Sequence, residues 1–203
     1  MAALTGLALV VPMTGSVAAE AAQNVSTHFV LTASASQTRQ DNAYIDNAAT
    51  NGQPYNMLYV TPNFKPDNNC GCVYDANPIG VWYDRSEGQW AVFNEDGAPM
   101  PDYAEFNVLV GAQQRYGGGA VAVVKTNKSD LNGGATFINN AASNNNPGNF
   151  TFVTPNYNPH GVGGTYNDAQ TSVLYFGSEE AVFNEDDSSP PLGSAYNLLI
   201  LSS

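Results

Sequence analysis

Val60-Thr61-Pro62-Asn63-Phe64-Lys65-Pro66 returns 93 residues later as Val153-Thr154-Pro155-Asn156-Tyr157-Asn158-Pro159. Ala91-Val92-Phe93-Asn94-Glu95-Asp96 returns unchanged 90 residues later as Ala181-Val182-Phe183-Asn184-Glu185-Asp186. Phe106-Asn107-Val108-Leu109-Val110 returns as Tyr196-Asn197-Leu198-Leu199-Ile200, again 90 residues on. Three blocks in the same order are the mark of a duplicated unit. The spacing shortens in two places, around Cys70 and Cys72 and at the turn holding Ser86, and loops are where a length change costs least.

The repeated blocks read as strands. In Ile79-Gly80-Val81-Trp82-Tyr83-Asp84 the side chains alternate with period two, and Trp90-Ala91-Val92-Phe93-Asn94 does the same after a Ser-Glu-Gly turn, which makes a hairpin. Phe106, Val108 and Val110 share one face of a later strand, as do Tyr196, Leu198 and Ile200. Asn51-Gly52, Asp96-Gly97 and Asn132-Gly133 are turn dipeptides, and no long stretch keeps a helical period. The expectation is an all-β chain of two tandem sandwich-like repeats, residues 23–112 and 113–203, with five or six short strands each. The segment between them, residues 111–119, is short, and Val121-Ala122-Val123-Val124 resumes a strand at once. The two repeats are therefore expected to pack about a pseudo-twofold axis into one body.

Composition narrows the function classes. The chain has 203 residues and a net charge of −12, so polyanions are repelled, and neither nucleic acid nor an anionic membrane surface is expected as a partner. Residues 2–19 are apolar but broken by Gly6, Pro12 and Gly15, and end in small residues. Residues 1–22 thus read as a secretory signal rather than a membrane span, which places the chain outside the cell, with no membrane insertion once the signal is removed. Cys70 and Cys72 are the two cysteines, and a turn at Gly71 would let them close a local clip.

The V-T-P-N-aromatic-x-P, G-V-W-Y-D and W-A-V-F-N-E-D strings resemble those of an uncharacterised family of secreted, mostly bacterial, tandem-repeat proteins. Its repeats carry V-T-P-N-W-N-P, G-V-W-Y-D, W-x-I-F-N-Q-D and F-N-V-L-V. The resemblance implies repeat architecture and an extracellular location and transfers no activity. Phe64 and Tyr157 stand where that pattern has Trp, and the second repeat has Leu174 and Glu180 where the first has Trp82 and Trp90. A ligand role of those tryptophans would thus be lost in the second copy.

The chemistry-bearing residues are few. Asn94, Glu95 and Asp96, and Asn184, Glu185, Asp186 and Asp187, close one strand in each repeat, and such oxygen-rich loops suit calcium; no other cofactor is expected. The competing reading is an Asx turn whose acids face water. The same carboxylates could be cast as a glycoside-hydrolase pair, but neighbours on a strand point to opposite faces, so Glu95 and Asp96 make a poor one. His28 and His160 lack nucleophile partners in any recognisable motif. Phe64, Trp82, Trp90 and Tyr157 are candidate contacts for a sugar ring or a protein. The expected function is that of a non-enzymatic, secreted structural or interaction protein that binds itself or an extracellular protein or glycan, with a lectin-like carbohydrate-binding module as the alternative.

Overall fold

The structure is a computed structural model that describes residues 27–66, 72–111 and 120–201. The expected signal segment, residues 1–22, and Cys70 lie outside the described residues.

The first repeat contains β1 (Thr27–Thr32), β2 (Thr38–Arg39), β3 (Asn42–Ile45), β4 (Met57–Pro62), β5 (Ile79–Asp84), β6 (Gln89–Asn94) and β7 (Glu105–Gly111). The second contains β8 (Ala120–Lys125), β9 (Leu131–Asn132), β10 (Ala135–Ile138), β11 (Phe150–Pro155), β12 (Thr171–Phe176), β13 (Glu179–Asn184) and β14 (Ala195–Leu201). Each repeat has one more strand than the upper expectation. The extra ones are β2 and β9, two residues long, too short for periodicity to register. In the first repeat the sheets run β1-β7-β4 and β2-β3-β6-β5; in the second they run β8-β14-β11 and β9-β10-β13-β12, the same order strand for strand. The register agrees as well: Val81 pairs with Val92, and Val173 with Val182.

Each sandwich closes over the stripe that alternation isolates. Leu31, Leu58, Val60, Val81, Val92, Phe106 and Val108 fill the first core, and Ile138, Val182, Tyr196, Leu198 and Ile200 the second. At full burial each such side chain contributes roughly 1.5–3 kcal/mol. The second core replaces four apolar groups of the first. Ala33, Ala43, Ala104 and Phe106 correspond to Thr126, Thr136, Ser194 and Tyr196, whose hydroxyls form one chain: Thr136 to Thr126 at 2.8 Å, Thr126 to Ser194 at 3.0 Å, Ser194 to Tyr196 at 3.0 Å.

The sandwiches form one body through their three-stranded sheets. Strands β4 and β11 lie side by side, but the bonds across the contact join positions that are not equivalent. The outer edge of β4, which would otherwise stay unpaired, is capped: the Val60 N–H donates to Thr154 Oγ1 at 3.1 Å, and Asn197 Nδ2 donates to the Leu58 carbonyl at 3.0 Å. The Tyr59 hydroxyl donates to the Leu198 carbonyl at 3.0 Å. The counterpart of Asn197, Asn107, is exposed and accepts a bond from Asn63 within its own repeat. Met57, Tyr59 and Leu199 are buried at the junction, whereas Phe150 and Phe152, the counterparts of Met57 and Tyr59, are exposed. On that side the sheets splay, leaving an apolar groove of about 520 Å³ walled by Val30, Leu109, Phe152 and Leu201. Among the described residues no helix is long and apolar enough to cross a membrane.

Candidate functional site: an aromatic cleft between the repeats

The outer face of the β2-β3-β6-β5 sheet carries Trp82 from β5, Phe93 from β6 and Asn42 and Tyr44 from β3, set side by side by the pairings of Trp82 with Ala91 and of Asn42 with Phe93. Period two puts Val81 and Tyr83 in the core and leaves Trp82 half-buried on the other side. The indole is fixed in place: its Nε1–H donates to Asn42 Oδ1 at 2.6 Å, and Tyr44 meets it edge-on with ring centroids 6.2 Å apart.

A loop of the second repeat walls this face. The parallel bridge between Asn156 and Val81 extends the sheet past its end strand β5, and the Tyr157 N–H donates to the Val81 carbonyl at 2.9 Å. Asn158 then acts as a backbone substitute: Tyr83 N–H donates to its Oδ1 at 2.8 Å, and its Nδ2 donates to the Tyr83 carbonyl at 3.0 Å. Farther along, Arg85 reaches the carbonyls of His160 and Gly161, both at 2.8 Å, and the His160 ring lies 5.1 Å from Tyr55. Tyr157 and Tyr166 sit on Phe93 at 6.0 and 5.9 Å and against each other at 4.7 Å. The Tyr157 ring lies on the backbone of Gly164, at φ +153, where a Cβ would overlap it.

Between sheet and loop lies a cleft of about 300 Å³ lined by Gln40, Asp41, Asn42, Trp82, Phe93, Tyr157 and Tyr166. Aromatic faces stand beside amide and carboxylate groups, a combination suited to a ligand with both ring faces and hydroxyls. Burial pushes the Tyr166 phenol upward, with Tyr157, Asp41 and Glu95 adding to the effect. Glu95 lies two residues beyond Phe93, over Gly80, and is 3% exposed. Burial raises its carboxyl to about 8, against a bond from the Asn167 N–H at 3.0 Å that lowers it and Asp168 that raises it. Glu95 does not line the cleft, which leaves Asp41 as the carboxylate there.

Of the sequence candidates, Trp82 and Tyr157 meet in this cleft. Trp90 does not join them: it is 0% exposed, with its Nε1–H donating to the Gln53 carbonyl at 3.0 Å and its ring against Tyr83, so it is a core residue. Phe64 lies elsewhere, stacked on Tyr74 with centroids 4.2 Å apart. The oxygen-rich loops are committed to turns. Asn94 Nδ2 donates to the Ala98 carbonyl, the Ala98 N–H to Asp96 Oδ1, and Asp186 Oδ1 accepts from the Ser188 N–H. Asn184 bonds Asn167, the Ser172 hydroxyl reaches Glu185, and Asp187 sits at φ 62. Among the described residues no three His, Cys, Asp or Glu side chains gather as a metal site would need. Cys72 is disulfide-bonded, at φ 52.

Sequence reasoning missed Tyr166, Asn42 and Asp41, which sit in segments without repeated strings. One signal was available for Tyr166: it occupies the position that corresponds to Tyr74 in the first repeat.

Fold and cleft together define a two-repeat, all-β-sandwich protein with one aromatic cleft where the repeats meet. Residues 15–110 and 86–200 each match a family described as a domain of unknown function, DUF7452, and the chain belongs to it. No curated protein and no solved structure matches the chain.

Proposed function

We propose that this is a non-enzymatic binding protein of the cell exterior whose inter-repeat cleft takes a neutral or amino sugar. The observation that carries the reading is the convergence of Trp82 and Tyr157, from different repeats, over a polar strip of Gln40, Asp41 and Asn42. A stacked sugar presents C–H groups to the rings and hydroxyls to the amide and carboxylate oxygens. Asp41 in the cleft and the net charge of −12 disfavour uronic or sialic acids. A small, partly open cleft of this kind supports dissociation constants of roughly 10 µM to 1 mM, about 4–7 kcal/mol.

The test is a glycan array followed by calorimetry on the best neutral ligands. Trp82→Ala and Tyr157→Ala should each abolish binding while Trp90→Phe keeps it; a folded protein that retains no glycan at millimolar concentration sinks the reading. The second reading, a structural protein that assembles with its own copies, is favoured by a different surface, the exposed Phe64 and Tyr74 pair.

A further inference from the structure

The stacked rings of Phe64 and Tyr74 occupy the positions in the first repeat that Tyr157 and Tyr166 occupy in the second. Phe64 and Tyr157 each stand between two prolines on a loop after an edge strand, stiff enough to present the ring at little entropic cost. The second pair is seated on Phe93, on the outer sheet face of the first sandwich. The first pair meets no third ring among the described residues, and Phe64 is 39% and Tyr74 76% exposed.

Among the described residues the matching receptor carries no such ring pair. The face equivalent to that of Tyr44, Trp82, Asp84 and Phe93 is formed in the second repeat by Phe137, Leu174, Phe176 and Phe183. It is the more apolar of the two, with Phe176 68% exposed and set edge-on to Phe137 at 6.5 Å. Its end strand β12 is the counterpart of β5, whose outer edge Asn156 and Asn158 cover. Charge fits as well. Lys65, one of six basic residues in the chain, is exposed next to Phe64, while Glu179 and Glu185 flank that face. Where the second repeat uses Asn158 to cap a strand edge, the first has Lys65, which suits an acidic rim instead.

We propose that a second copy of this chain docks head to tail, the Phe64 and Tyr74 rings of one molecule seating on the Phe137, Phe176 and Phe183 face of the next with Lys65 against Glu185. The contact repeats between molecules the ring-on-sheet seating that already joins the two repeats within one molecule. It is heterologous, so each molecule keeps one free ring pair and one free face, and growth continues until a ring closes or a filament extends. The contact uses none of the sugar-cleft residues, so Trp82→Ala leaves it intact and the two proposals fail separately.

Sedimentation velocity on the full chain from about 1 µM to about 500 µM tests it. The wild type should grow beyond a dimer as concentration rises. A ring variant, Phe64→Ser with Tyr74→Ser, and a face variant, Leu174→Asp with Phe176→Ser, should each stay monomeric. Mixed one to one they should give a dimer that does not grow, because each supplies the half the other lacks. A wild type that is monomeric throughout, variants that assemble like the wild type, or a mixture that stays monomeric would each overturn the proposal. Should a double variant fail to fold, the charge swap decides: Lys65→Glu or Glu185→Lys alone should weaken assembly at least several-fold and the pair restore it, and no such rescue counts against the docking.

Discussion

The side-chain amide of Asn158 spans the N–H and the carbonyl of Tyr83, at 2.8 and 3.0 Å, as a neighbouring strand would. One residue of the second repeat thereby ends a sheet of the first, and both of its bonds are buried. Asn158→Ala removes the two together and leaves two buried backbone groups unpaired, at about 2–4 kcal/mol. The expected readouts are a lower urea midpoint with unchanged slope and faster exchange of the Tyr83 amide. Asn158→Asp keeps the acceptor, loses the donor and buries a charge, so it should cost at least as much.

Glu95 makes stability depend on pH in an unusual direction. Its folded-state carboxyl is raised to about 8 from 4.5, chiefly by burial, so the folded state holds its proton where the unfolded chain has released it. The group's favourable contribution is full below about pH 4.5 and is lost as pH rises through about 8, a span of a few kcal/mol at most. Unfolding by urea between pH 5 and about 9 should show stability falling with pH, and Glu95→Gln should flatten that part of the profile. An unchanged slope in the variant would assign the dependence to other groups.

The repeat strings made the fold legible because identical blocks in one order force identical strands, and the face shared by Phe106, Val108 and Val110 in β7 is the core face, whereas the alternation in β5 did not say which of its two faces is the core. Trp90 shows where that reading stops. Its strand could be recognised from sequence, but alternation does not say which face another part of the chain will cover. The β14 strand makes the same point, since Tyr196, Leu198 and Ile200 were expected inside while Asn197 and Leu199 are buried too, by the other repeat. The cleft was half legible: Trp82 and Tyr157 could be singled out by type and position, but their meeting depends on Asn156 and Asn158 docking on β5, a contact between residues some 75 apart.

Gly80 is a glycine because of Glu95. A Cβ there would fall inside contact distance of Glu95 Oε1 and 3.0 Å from Phe93 Cε1. Gly80→Ala should therefore destabilise by about 1–3 kcal/mol through overpacking. In a Glu95→Ala background most of that cost should disappear, leaving the Phe93 share. A double-mutant cycle measures the coupling, and additive effects would mean that the carboxylate does not occupy this space.

The hydroxyl chain of the second core is a unit that is expensive to break and cheap to replace. Thr126→Ala alone strands the Thr136 hydroxyl, which loses its partner at 2.8 Å, whereas Ser194 keeps the Pro191 carbonyl at 2.8 Å and the Tyr196 hydroxyl at 3.0 Å; the change should cost about 1–3 kcal/mol. The fourfold change Thr126→Ala, Thr136→Ala, Ser194→Ala and Tyr196→Phe installs the residues the first repeat already uses at these sites. Because it removes the four hydroxyls together and leaves the Pro191 carbonyl its bond from the backbone N–H of residue 194 at 3.0 Å, its cost should be far below the sum of the single changes. Asn167 loses its bond to the Tyr196 hydroxyl at 3.2 Å but keeps Asn184 at 2.8 Å, so no buried amide is left without a partner. Thermal melting of the four single variants and the fourfold one decides the matter; a fourfold variant as unstable as the singles summed would mean that the hydroxyls contribute independently.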